Sequence, residues 1–123
     1  MKFTRLSIPD IILIEPNIHQ DNRGYFLERF RLDKLSEFIG CNIDFSQDNE
    51  SKSNFGVFRV LHYQKPPFAQ SKLIRVDLVQ YMIIVVDIRK NSPNFGRYLK
   101  MKLDGISKNI FFIPQGFTQR SLK

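Results

Sequence analysis

The stretch GVFRVLHYQKPPFAQSKL, from Gly56 to Leu73, sets Arg59, His62 and Lys72 into a run rich in apolar and aromatic side chains. An imidazole titrates near neutrality, so it can take or return a proton without heavy tuning. A guanidinium matches phosphate with a planar fork, and an ammonium adds a point charge. Together the three could form one wall of a pocket for an anionic substrate, with His62 as its base. Each also has an ordinary explanation. A strand histidine can be satisfied by a backbone carbonyl, and arginine or lysine by an exposed carboxylate. One histidine does not choose between these.

Arg23 and Arg75 are further candidates for phosphate. Glu28, Asp48 and Asp87 are candidate partners for histidine or arginine. Gln47-Asp48-Asn49 forms a tight polar cluster near the end of an expected strand. It is either a group that meets a ligand or an Asx-type turn. Metal chemistry has little support, since HxH, CxxC and HExxH are all missing and His19 and His62 are the only histidines. No glycine-rich loop precedes a helix, so a nucleotide would have to be held by side chains.

The elements that must position these groups are mostly strands. Ile11 to Ile14 is a short β-branched run stopped by Pro9-Asp10 and Pro16. Asp21-Asn22 and Gly24 make a turn into Tyr25-Phe26-Leu27. Arg31 to Phe38 carries Leu32, Leu35 and Phe38 at helical spacing, with Gly40 placed to end the helix. Further strands are expected at Gly56 to Gln64, Lys72 to Leu78, Tyr81 to Arg89, Arg97 to Leu103 and Asn109 to Ile113. Tyr81 to Arg89 is nearly all apolar, which predicts a central strand buried on both faces. Asn91 to Gly96 is a turn cluster. Short strands between turn clusters predict a β-sandwich or barrel.

The chain has 123 residues, enough for one domain over 1–123, and 42% are hydrophobic, enough for a core. Its single cysteine, Cys41, cannot form an internal disulfide, which fits a reducing compartment. No secretory leader opens it, and its longest uncharged apolar run is too short for a bilayer, so a cytoplasmic location is expected. The net charge of +7 favours anionic partners. The basic residues are scattered and no nucleic-acid motif is present, so neither nucleic acid nor membrane is the expected partner.

The ordered strings DNRGYFLERF, QDNESKS, GVFRVLHYQ, PPFAQSKL, VDIRKNSPNFG and IPQGF resemble the dTDP-4-dehydrorhamnose 3,5-epimerase family. That family carries DxRGxFxE, QDNxSxSxxGVxRGLHxQ, QxKLxR, VDxRxxSPTFG and IPxGFAHGF in the same order. The resemblance runs from about Ile8 to Phe117. It implies a mainly β, cupin-like β-sandwich or jelly roll with one short helix, incomplete at the C-terminus. It also implies a homodimer, no metal and no organic cofactor. The family inverts C3 and C5 of a 4-keto-6-deoxy sugar carried on dTDP. By resemblance, His62 corresponds to the base and Lys72 to the lysine near the enolate oxygen. Arg23, Glu28, Gln47, Asn49 and Arg59 correspond to residues that hold the substrate, and Asp48 lies in the same cluster.

The chain departs from the family in four places. RGLH becomes Arg59-Val60-Leu61-His62, so β-branched Val60 stands where glycine would permit a kink. A glycine and an aspartate are replaced by Val79 and Ile83. GFAHGF becomes Gly116-Phe117-Thr118-Gln119-Arg120-Ser121, which puts Gln119 where the family has a substrate-contacting histidine. The tail QRSLK resembles no part of the family, and the segment bearing its tyrosine acid and the aspartate that pairs with the histidine is expected to be missing. An impaired epimerase is therefore expected, with a non-catalytic binder of a dTDP-sugar, or a partner subunit, as the alternative.

Overall fold

The computed structural model describes residues 1–40, 71–76 and 80–122. The expected strand Gly56 to Gln64 lies outside these residues. Among the described residues the chain runs β1 Lys2–Arg5, β2 Ile12–Glu15, β3 Ile18–Asp21, β4 Gly24–Leu27, α1 Leu32–Ile39, β5 Lys72–Arg75, β6 Gln80–Asp87, β7 Tyr98–Asp104, β8 Ile110–Ile113 and β9 Phe117–Leu122. The strands form a four-stranded sheet in the order β1-β2-β8-β5, a three-stranded sheet in the order β7-β6-β9, and the hairpin β3-β4. Every pairing is antiparallel.

The two larger sheets face each other across one core. Phe111 and Ile113 of β8 meet Ile83 and Val85 of β6, Leu103 of β7 and Phe117 of β9, with Ile8, Ile11 and Val76 at the margins. The other face of the four-stranded sheet is also covered. There Ile12, Ile14, Ile110 and Phe112 pack with Leu35 of α1. β8 is consequently buried along its whole length, and its sequence IFFI has no polar position.

Among the described residues the doubly buried strand is thus β8, not the run from Tyr81 to Arg89. β6 is central in its sheet, as expected, but it alternates. Ile83 and Val85 are buried while Met82 is 37% exposed. An apolar run marks a strand without revealing how many of its faces are covered. Asn109 to Ile113 is not the last strand, contrary to what the sequence suggests, because residues Phe117 to Leu122 form β9 and pair with β6 from Asp87↔Phe117 to Met82↔Leu122. β-pairing is made by backbone groups, so a tail whose side chains depart from a motif can still complete a ladder.

The helix lies one residue later than expected. Gly40 adopts φ +89° and its N–H donates to the Ser36 carbonyl at 2.8 Å, a left-handed stop that glycine takes without strain. Asp33 sits in the first turn, where a negative charge favours the helix dipole. Of the expected stripe only Leu35 is fully buried. Leu32 and Phe38 lie at the rim, where Phe38 stacks on Phe3 with centroids 5.3 Å apart.

Candidate functional site

Strand register decides which side chains can enter the space between the sheets. Lys72 opens β5 directly opposite Ile113, and Ile74 stands opposite Phe111. Both partners belong to the inter-sheet core, so Lys72 shares the inner face with them. Leu73 and Arg75 alternate to the outer face, opposite Phe112 and Ile110. Of the two basic residues on β5, only Lys72 therefore faces the interior. Arg75 does not join it, because residues three apart on a strand point to opposite faces. No ion pair holds Lys72 among the described residues.

The facing sheet supplies a second polar group. On β9, Gln119 stands opposite Val85 and follows the inward-facing Phe117 by two residues. Its Oε1 is buried and has no hydrogen-bond partner. The inner walls thus offer a cation on β5 and a neutral amide on β9 against an apolar lining. Ile83, the apolar replacement noted in the sequence, is 3% exposed and packs into this lining.

Arg23 and Glu28 sit on or beside the β3-β4 hairpin. Arg23 occupies the turn, and its side chain is 91% exposed. Its guanidinium bonds Asp21 at 2.8 Å and holds that carboxyl below the usual carboxylate range. Glu28 follows β4 and lies 3.8 Å from Arg31. No hydrogen bond or ion pair brings Arg23 or Glu28 to Lys72 among the described residues. His62, Arg59, Gln47, Asp48 and Asn49 lie outside the described residues. Val60 and Val79 do so as well.

Asp87 takes arginine as its partner. It is fully buried at the end of β6. Arg89 donates from its backbone N–H at 3.0 Å, from Nε at 3.0 Å and from Nη2 at 2.8 Å. The Ser92 hydroxyl adds a bond of 2.6 Å. Burial opposes the charged carboxylate, but the bonds from Arg89 and Ser92 outweigh it and hold Asp87 at about 2. The same bonds, with Asp10 adding to them, raise Arg89 against the lowering effect of burial. The Arg89 guanidinium also bonds Asp10 and stacks over Phe117, 4.6 Å from the ring centroid. This part-buried cluster holds the start of β9. The VDIRKNS string carries every residue of it except Asp10 and Phe117.

Among the described residues, no group of three His, Cys, Asp or Glu side chains could hold a metal ion. No helix among them is long and apolar enough to cross a membrane.

A pair of antiparallel sheets closed over a core, with polar side chains from facing strands turned inward, defines a cupin-type sandwich. The family model for dTDP-4-dehydrorhamnose 3,5-epimerase matches residues 5–120. The chain belongs to that family. It is 42% identical to the dTDP-4-dehydrorhamnose 3,5-epimerase of Shigella flexneri over 95% of its own length and 65% of that protein's. It is 44% identical to the Pseudomonas aeruginosa enzyme over 95% of this chain and 64% of the relative. The crystal structure of the Elizabethkingia anophelis enzyme superposes with a TM-score of 0.94 at 39% identity, over 99% of this chain and 67% of the other. The Legionella pneumophila epimerase, solved with dTDP-4-keto-L-rhamnose, matches with a TM-score of 0.92 at 38% identity over 98% of this chain and 64% of the other. The chain therefore spans about two-thirds of the length of these relatives. β9 lies within the superposed region, so the tail follows the family's backbone even where its side chains depart from the motif.

Proposed function

We propose that this chain binds a dTDP-4-keto-6-deoxy sugar between its two sheets, as a single domain, and acts on the carbons that flank the ketone. The observation that carries this reading is the placement of Lys72 on the inner face of β5, opposite Ile113. Loss of a proton from C3 or C5 leaves an enolate on the C4 oxygen. A cation held in an apolar interior stabilises that oxyanion far more than water does. His62 is the base that takes the proton. A proton returned from the opposite face by solvent inverts the carbon, and His62 releases the proton it took to solvent. Arg23, Arg59, Glu28 and the cluster Gln47, Asp48 and Asn49 hold the nucleotide and sugar. The reaction so assigned is 3,5-epimerisation of dTDP-4-dehydro-6-deoxy-D-glucose to dTDP-4-dehydro-L-rhamnose, with no organic cofactor or metal. The exposed aromatics Tyr25 and Phe26 on the β3-β4 hairpin support a homodimer as the working form.

A second reading, binding without turnover, has its own support. Gln119 and Ile83 face the interior where the family pattern has a histidine and an aspartate, and neither replacement transfers a proton. Deuterium exchange at C3 and C5 of the keto sugar, followed by NMR in heavy water, separates the two. Only slow exchange is expected in the unaltered chain, because the epimerase proposed here is an impaired one. Lys72→Met should lower its rate about 100-fold or more, the scale of losing one oxyanion-stabilising donor. His62→Ala should abolish it. Binding of the sugar with no exchange would establish the second reading.

A further inference from the structure

We infer that Asp21 is a positioning residue for the diphosphate of the ligand: it holds the Arg23 guanidinium, before any ligand arrives, with one edge left free for phosphate. The inference rests on the nucleotide-sugar reading above, in which Arg23 meets the nucleotide. Arg23 stands in the turn between β3 and β4, and its side chain is 91% exposed. A long cationic side chain in such a place ordinarily samples many rotamers, and a ligand that fixes one of them loses part of its binding free energy. Arg23 is already fixed. Oδ1 of Asp21 accepts from the Arg23 backbone N–H at 2.8 Å, and Oδ2 accepts from Nε at 3.3 Å and from Nη2 at 2.8 Å. Asp21 is itself set by the hairpin. It ends β3 directly opposite Gly24, whose φ of +134° lets the chain turn back.

The shape of the fork decides which donors remain. A guanidinium carries five N–H donors in one plane. Asp21 takes the one on Nε and one of the two on Nη2, which together form a single edge. The far edge, with one N–H on Nη1 and one on Nη2, is left to grip two oxygens of a phosphate. No other carboxylate pairs with Arg23 among the described residues. The charge of Asp21 also repels a phosphate. Asp21 is 53% exposed, however, so water and salt screen that repulsion, and the guanidinium stands between the two anions. Ordering of Arg23 therefore outweighs it. An ion pair this exposed adds little to the stability of the fold. Its loss should be read in ligand binding rather than in the melt.

A double-mutant cycle tests the inference, with Asp21→Ala, Arg23→Met and the two together titrated with dTDP and with thymidine by NMR. Asp21→Ala is expected to bind dTDP about fivefold more weakly, to bind thymidine unchanged and to melt as the unaltered chain does. In the Arg23→Met background the same change should have no further effect. Tighter binding of dTDP by Asp21→Ala, or by Asp21→Asn, would show that repulsion outweighs positioning and would overturn the inference. Unchanged binding of dTDP by Asp21→Ala would overturn it as well. An equal loss of thymidine, or a loss that persists in the Arg23→Met background, would show that Asp21 acts otherwise than through Arg23 and phosphate, and would overturn it too. Full dTDP binding by Arg23→Met alone would remove Arg23 from the site, and this inference with it, while leaving the rest of the nucleotide-sugar reading intact. Failure of the unaltered chain to bind dTDP would overturn that reading and the inference together.

Discussion

Gly116 shows how narrowly the entry to β9 is built. Its φ of +94° lies where side chains are strained. A Cβ there would also stand 2.5 Å from Arg89 Cγ and 2.8 Å from Cδ. Arg89 has little freedom to give way, because Asp87, Asp10 and Ser92 all hold its guanidinium. Gly116→Ala should therefore destabilise the chain by roughly 2 kcal/mol or more, combining backbone strain with overpacking. Urea denaturation checks this, and an unchanged midpoint would mean that Arg89 can move aside. Gly96 also has a positive φ, but no atom stands near its missing Cβ, so only strain applies there.

At the scale of elements, the β6-β7 connection is held by charge as much as by turn geometry. Asp87 donates its N–H to the Arg97 carbonyl at 3.0 Å and accepts from the Gly96 N–H at 2.8 Å, which closes the turn. Its carboxyl then collects Arg89 and Ser92. The folded chain binds a proton at Asp87 less readily than the unfolded chain, since the group falls from an ordinary 3.8 to about 2. The resulting stabilisation is fully present above about pH 4 and is lost as pH falls toward 2. Its size is roughly 2 kcal/mol, from about 1.4 kcal/mol for each unit of depression. Urea melts between pH 2.5 and 6 should show stability falling on acidification. Asp87→Asn should remove that part of the slope and be less stable near neutrality, because Arg89 keeps its charge without a full partner. Equal slopes for the two proteins would assign the acid sensitivity to other carboxylates.

At the scale of the whole molecule, the described residues form three layers: α1, the four-stranded sheet and the three-stranded sheet. The hairpin β3-β4 stands apart from both sheets, paired only within itself among the described residues. A two-stranded hairpin is marginal alone. This one carries Tyr25 at 59% and Phe26 at 72% exposure. Those rings are apolar surface that the homodimer proposed above would cover. Sedimentation equilibrium at micromolar concentration should give a dimer, and the double change Tyr25→Ser and Phe26→Ser should shift it toward monomer. An unaltered chain that sediments as a monomer throughout that range would remove the hairpin's proposed role.

The sequence by itself determined the strand-rich class, the helix and its glycine stop, and the family. These depend on local periodicity, on backbone conformations open to glycine, and on an ordered set of motifs, all of which are properties of neighbouring residues. It also marked Lys72 and Gln119 as positions of interest. It did not reveal β1, β3 or β9, whose short, polar-rich runs become strands only through partners distant in the chain. It named β6 as the doubly buried strand when β8 is, because an apolar run does not record how many layers will cover it. The tertiary structure alone decided that Lys72 points inward while Arg75 points outward, since that depends on the register of β5 against β8. It alone tied Asp10 to Arg89 across 79 residues of sequence. It also left one buried oxygen of Gln119 without a partner, because hydrogen-bond satisfaction in a core depends on what the opposite sheet presents.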